Sequence, residues 1–337
     1  MEAPMSLYRW YIKKREKLVI YFFNNDIFVA IARLDDYEAA RRILLGFADT
    51  VARKHRKSHE FRSITAYGDT DELRRQLTKA FVDPYTMILS IGAETTLIAK
   101  SISTELSSNK PVGFVDIRDP QRLGIIKSHT HPDNNFFGLV DKVDRVDDHV
   151  YRLLRMIPRL EHVFLVYDPL QELGYSELEK NRFLIALGKK SVEVTTIPAS
   201  SHEALTYSIE ERVRRIYQKY QYNAIMTLRD PLIMSAMTPL SYVAEKYQVP
   251  LYSADPESIL KFAAIGSGHN GYEMGGNVAV KSLPLIQQRE RPLLIPTIFH
   301  NIDYKSYANR SIMALQGVKI TEENYEWFKN HVVYTPF

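Results

Sequence analysis

The sequence contains no cysteine, which removes disulfide frameworks, thiolate zinc sites, cysteine nucleophiles and a cysteine-linked lipid anchor from consideration. Long apolar runs are absent as well. The longest early one, LVIYFF at 18–23, is cut by Asn24-Asn25-Asp26 and is too short for a membrane span or a secretory core. There is no GxSxG elbow, no phosphate-binding P-loop and no GxGxxG after the first strand, so no cofactor is expected. Nor does one sign of charge dominate, since 44 basic residues are interspersed with 40 acidic ones. The basic runs KKREK (13–17) and RKHRK (53–57) read as solvated faces, and no nucleic-acid partner is expected.

What is present is an alternation of short β-rich runs and helix-period segments. With 337 residues, 45% of them hydrophobic, the chain can build one large domain or two lobes. Strands are expected at IFVAIARL, FRSITAYG, TMILSIG, PVGFVDI, HVFLVYD, VEVTTIP, AIMTLRD and PLYSAD. Helices are expected over 36–54, 71–81, 94–106, 144–156, 175–188, 203–219, 232–247 and 256–262. This is the pattern of an α/β protein with parallel sheets covered by helices on both faces, in two halves meeting near residue 140.

Turn chemistry supports the boundaries. Asp35 with Glu38, and Asp69 with Glu72, have capping-box spacing. Asp168-Pro169, Asp230-Pro231 and Asp255-Pro256 each offer an aspartate to cap a helix and a proline for its first position. The same aspartates fall at the carboxyl ends of strands, where open α/β sheets bind ligands.

His129-Thr-His131-Pro-Asp133 looks like the opening of a metallo-β-lactamase zinc motif. The next position, where a further ligand belongs, is Asn134, and no second metal motif follows. A metal-dependent hydrolase using His129, His131 and Asp133 is therefore the weakest of three functional readings, and no metal is expected.

The order of segments carries a resemblance. VAIARLDDYEAARRILLGF, LSIGAETTLIAKSI, PVGFVDIRDPQRLGII, PDNNFFGLVD, VFLVYDPLQELGYSELE, TLRDPLIMSAMTPLSYVAEKYQVPLYSADPESI and GHNGYEMGGNVAV follow one another over about residues 27–320. Together they resemble the ABC-transporter substrate-binding proteins of the tryptophan/tyrosine-uptake type. The sequence departs from that pattern at Glu94, at Leu170–Leu173 and at Arg229-Asp230.

The resemblance implies a type I periplasmic-binding-protein architecture: two Rossmann-like lobes with parallel sheets joined by a hinge. Residues 1–26 would be an N-terminal extension. Lobe 1 would span 27–140 with a returning segment of about 270–305, and lobe 2 would span 141–269 with about 306–337. Hinge strands are expected near Phe137 to Asp141 and Gly266 to Gly271. The function implied is non-enzymatic: a monomer that binds a small zwitterionic solute, an amino acid and preferably an aromatic one, between the lobes and delivers it to an ABC permease. A sensory or regulatory ligand-binding domain of the same fold is the alternative. The location implied is periplasmic or extracellular and membrane-associated, with the leader missing from the sequence as given, while the apolar pattern leaves a cytosolic location open.

Site residues follow from the same frame. Backbone N–H groups at Ala93, Glu94, Thr95 and Thr96 open a helix and suit a carboxylate, with the two threonine hydroxyls as added donors. Asp116, Asp230 and Asp255 suit an ammonium group. Arg33 and Arg229 either bind a carboxylate or pair with a neighbouring acid. Tyr37, Tyr167 and Tyr175 are the expected aromatic contacts.

Overall fold

A computed structural model describes residues 25–34, 36–54, 58–83, 85–130, 132–140, 145–288, 298–299 and 304–335. The chain forms two compact units. Unit 1 takes the described residues within Met1–Asp36, Ala40–Asp141 and Gly271–His300, and unit 2 those within Tyr37–Ala39, Lys142–Asn270 and Asn301–Phe337. Each has the two-sided α/β layering of the type I periplasmic-binding-protein fold. Among the described residues no helix is long and apolar enough to cross a membrane.

Unit 1 is a six-stranded sheet in the order β11-β5-β4-β3-β1-β2. Its strands are β1 (Asn25–Arg33), β2 (Ser58–Thr65), β3 (Met87–Ile91), β4 (Val112–Ile117), β5 (Phe136–Val140) and β11 (Ile298–Phe299), and every pairing is parallel. A parallel sheet is covered on both faces, so its strands carry continuous apolar runs; MILSI in β3 and FFGLV in β5 are buried at every position. Four helices cover it: α1 (Glu38–Lys54), α2 (Thr70–Val82), α3 (Ala93–Glu105) and α9 (Gly271–Gln288). In α2, Leu73, Leu77, Ala80 and Phe81 make one buried stripe at helical spacing. Asp69 caps this helix by accepting from Asp71 N and Glu72 N, but Glu72 gives its carboxylate to Arg75 and Gln76 rather than completing a capping box. Helices α1 and α9 meet backbone to backbone. A Cβ on Gly46 would lie 1.9 Å from the Tyr272 carbonyl oxygen, and one on Gly275 would lie 1.9 Å from that of Ile43.

Unit 2 is a seven-stranded sheet in the order β13-β12-β10-β9-β8-β6-β7. These strands are β6 (His162–Tyr167), β7 (Glu193–Pro198), β8 (Asn223–Thr227), β9 (Leu251–Ser253), β10 (Ile265–Gly268), β12 (Lys305–Ala308) and β13 (Val332–Tyr334). All neighbours run parallel except β12 against β10. Its helices are α4 (Val146–Met156), α5 (Gln171–Gly188), α6 (His202–Ile216), α7 (Pro231–Ser235), α8 (Met237–Tyr247), α10 (Arg310–Leu315) and α11 (Glu322–His331), with a 3-10 helix over Pro256–Leu260. The stripe Val146, His149, Val150, Leu153 and Met156 buries α4 against one face, and Leu205, Ile209 and Val213 bury α6 against the other.

The local expectations meet several corrections. The helix expected over 232–247 is two helices, α7 and α8, separated at Ala236; Pro239, lacking an N–H, sits in the first turn of the second, where the loss is harmless. The segment expected as a helix at 256–262 is the 3-10 helix. Helix α5 starts at Gln171 rather than 175, with Leu170 and not Asp168 as its N-cap. Asp168 instead accepts from Leu170 N at 2.9 Å, closing a turn ahead of the helix. Asp230 occupies the N-cap of α7 but makes no side-chain cap bond. Gly266 and Gly268 belong to β10, and a Cβ on Gly266 would stand 2.1 Å from the Ser253 carbonyl oxygen. Glycine there permits close strand packing. Asp35 lies outside the described residues.

Candidate ligand-binding site

Sheet register gathers the unit 1 candidates. Arg33 pairs with Ile91 and Ile91 with Val115, so Arg33, the start of α3 and Asp116 share the carboxyl edge of the sheet. Gly92, at φ 88°, is the N-cap of α3 and offers no side chain. The first turn of α3 therefore presents Ala93, Glu94 and Thr95 without a side-chain cap, the geometry in which helix N–H donors favour an anion. Both threonine hydroxyls have local work: Thr95 Oγ1 accepts from Leu34 N at 3.0 Å, tying the β1 exit to α3. Thr96 Oγ1 donates to Gly92 O at 2.8 Å and lies 2.8 Å from Ser90 Oγ.

Arg33 is 5% exposed. Its Nη2 pairs with Asp36 Oδ1 at 2.8 Å and its Nε donates to Thr65 Oγ1 at 3.0 Å, while the buried Nη1 makes no hydrogen bond. Arg41 grips Asp36 through two bonds of 2.9 and 2.7 Å. Burial alone would raise the Asp36 carboxyl, but the Arg41 bonds and the charges of Arg33 and Arg41 outweigh it and hold the group below its usual range. Asp116 is half-buried at φ 64°, where the β4–β5 register shifts. A non-glycine residue in this region is uncommon and belongs to the kind of local distortion found beside functional sites. Tyr37, just before α1, is buried.

In unit 2 the pairing of Thr227 with Ser253 places Arg229, Asp230 and Asp255 together beyond the carboxyl ends of β8 and β9. Asp255 is 2% exposed. Its Oδ2 accepts from Ser258 N at 3.0 Å and Ser258 Oγ at 2.9 Å, whereas Oδ1 makes no hydrogen bond and lies 3.8 Å from Arg229 Nε. Arg229 thus pairs with Asp255 across the strands. Asp230 is fully buried and holds the β6–α5 connection, accepting from Asp168 N at 2.9 Å through Oδ2 and from Ser176 Oγ through Oδ1. Tyr167 ends β6 with Lys180 Nζ 5.2 Å over its ring. Burial and a bond to Glu177 raise its phenol above the ordinary value. Tyr175 is buried in the second turn of α5.

One polar cluster is absent from the sequence expectations. His149 Nδ1 lies 3.1 Å from Tyr252 Oη and 3.2 Å from Ser267 Oγ, and the imidazole also contacts Tyr304. Arg145 and Arg152 stand 4.7 and 5.1 Å over the Tyr304 ring. Tyr252 in LYSAD and Ser267 in IGSGH, hydroxyl groups set within buried strands, are the sequence signal for it.

The histidine motif is not assembled as a metal centre among the described residues. Lys127 pairs with Asp133 at 3.0 Å, and Asn134 closes its own turn by donating to Ile125 O and accepting from Phe136 N. His129 is shifted down by burial, His131 lies outside the described residues, and no group of three His, Asp or Glu side chains gathers at metal-binding distance.

The family described as ABC transporter substrate binding protein matches residues 29–327. A search of curated proteins finds no match. Among solved structures, a Streptococcus pneumonia ABC domain in complex with L-Trp superposes with a TM-score of 0.77 at 16% identity, over 92% of this chain and 100% of its own. A conserved domain protein from Vibrio cholerae gives 0.77 at 18%, over 93% and 100%. An Agrobacterium vitis solute-binding protein with bound allitol gives 0.61 at 12%, over 86% and 98%.

Proposed function

Since the chain belongs to the family of ABC transporter substrate-binding proteins, the solute-binding components of ABC importers, we propose that its solute is a zwitterion, an amino acid with an aromatic side chain. The observation that carries this reading is a pair of opposite, buried and incompletely matched charges. Arg33 in unit 1 has an Nη1 without a hydrogen bond, and Asp255 in unit 2 has an Oδ1 without one. A carboxylate would supply what Arg33 Nη1 lacks, beside the N–H groups of Ala93 to Thr95, and an ammonium would supply what Asp255 Oδ1 lacks. Arg229 then fixes Asp255, and Asp116 flanks the solute. Tyr37, Tyr167 and Tyr175 would pack its ring. The L-Trp found with one structural neighbour is compatible with this reading, and the allitol found with another defines the competing one, a neutral polyol.

Isothermal titration with L-tryptophan, tryptophanamide, indole-3-propionate and allitol tests it. L-tryptophan should bind, and deleting either its charge or the matching side chain, in Arg33→Met or Asp255→Asn, should weaken binding about 10- to 100-fold, the equivalent of roughly 1.5–3 kcal/mol for a charge-assisted bond. Binding of allitol with none of L-tryptophan, L-tyrosine or L-phenylalanine would overturn the proposal.

A further inference from the structure

We propose that unit 2 carries a second binding site, for a neutral carbohydrate, in a cavity at the amino ends of its strands. This inference stands independently of the solute reading above.

The cavity has a volume of about 710 Å³, within the range of small-ligand pockets. It is walled by the connections from α4 to β6, α6 to β8, α8 to β9 and α10 to α11, all within one unit. Its floor is firm, made of the buried Met156, Ile157, Val249 and Asn324. Asn324 is locked there by donating to Met156 O and Lys319 O, each at 3.0 Å.

Above the floor stand four half-buried tyrosines. Tyr220 is spoken for: its ring stacks on His162 at 4.7 Å and 7°, with Lys219 Nζ 4.6 Å away. Tyr217 and Tyr247 lean together at 4.9 Å and 58°, and Tyr222 completes the aromatic wall. Gln221 and Gln248, both exposed, bring amide groups to the rim.

Charge then selects the class of ligand. Arg159 pairs with Glu323 at the mouth, Lys219 with Glu193 and Lys246 with Glu210. The remaining lining charges, Lys319 and Glu322, are of opposite sign. Neither an anion nor a cation meets a net countercharge. What the cavity offers is aromatic surface beside amide donors and acceptors, and a pyranose has the complementary chemistry: an apolar C–H face and a ring of hydroxyls without charge.

Saturation-transfer NMR and titration calorimetry with maltotriose, cellotriose and chitotriose decide the matter. At least one trisaccharide should bind saturably, at least tenfold more weakly to Tyr222→Leu, and with unchanged affinity to Asp255→Asn. Should Tyr222→Leu fold poorly, Gln248→Ala on the exposed rim replaces it and should also weaken binding. Absence of saturable binding by all three sugars overturns the proposal. So does binding indifferent to the rim variants, or binding lost in Asp255→Asn, which would assign the sugar to the carboxyl edge of the sheets.

Discussion

Unit 1 ends β1 in a buried cation, and unit 2 follows β9 with a buried anion. Each keeps one polar atom without a hydrogen bond. Asp36 and Thr65 hold two of the Arg33 nitrogens, and Ser258 holds one Asp255 oxygen, leaving Nη1 and Oδ1 without hydrogen bonds. Asp230, which follows β8 and is just as buried as Asp255, has both oxygens engaged by its own unit. The difference separates two uses of a buried carboxylate. One that is fully hydrogen-bonded holds a loop; one that is half hydrogen-bonded has capacity for a ligand, because an unmatched buried polar atom costs about 1–3 kcal/mol until something pairs with it.

The comparison can be broken most severely from the packing side. Gly46→Val forces a side chain into the Tyr272 carbonyl where α1 and α9 touch, and overpacking against backbone, unlike a flexible neighbour, has no cheap relief. Unit 1 should lose about 3 kcal/mol or more, seen as an early transition in chemical denaturation followed by hydrogen exchange. A smaller effect sharpens the contrast between the aspartates. Asp230→Ala strands Asp168 N and Ser176 Oγ and should cost unit 2 roughly 2–4 kcal/mol in urea unfolding, whereas Asp255→Asn, which can still accept from Ser258 N, should cost less than about 1 kcal/mol. Equal losses would erase the distinction.

A pH dependence sharpens the contrast from the side of unit 2. Burial pushes the His162 imidazole in unit 2 down to about 4, below an unfolded value of about 6.5. The unfolded chain therefore binds a proton first. The stability due to the neutral imidazole is complete above the unfolded value and is lost as pH falls toward the folded one. Urea midpoints should drop between about pH 6.5 and 4 with a slope of at most ~1.4 kcal/mol per pH unit from this group. His162→Phe should flatten that slope, and an unchanged slope would remove His162 as its source.

Much of the fold was legible because central parallel strands buried on both faces are written as apolar runs, and each of the eight runs read as a strand overlaps one, the more polar edge strands β2 and β7 included. The late elements were not. KSYA in β12 is short and mixed in polarity and VVY in β13 is only three residues long, and their pairing depends on partners distant in the sequence. The break between α7 and α8 was marked by Pro239, whose position inside a helix-period segment is a restart signal. At the candidate site, the carboxyl-edge placement of Arg33, Asp230 and Asp255 followed from strand ends, but which oxygen of which aspartate is engaged depends on side-chain packing, as with Ser176 reaching Asp230 from α5. The cavity at the opposite edge was not legible in the sequence, since its tyrosines come from two separate connections that only the fold brings together.

The meeting of α1 with α9 also sets a timetable for the nascent chain. Gly46 waits for Tyr272 and Ile43 for Gly275, while β5 waits for β11, so unit 1 cannot finish before the ribosome has made the Lys142–Asn270 part of unit 2. Domain-by-domain folding during synthesis is closed to this topology. Its early part must remain incomplete, with apolar helix and sheet surface uncovered, until the segment Gly271–His300 has been made, and contacts of such long range slow the final step further.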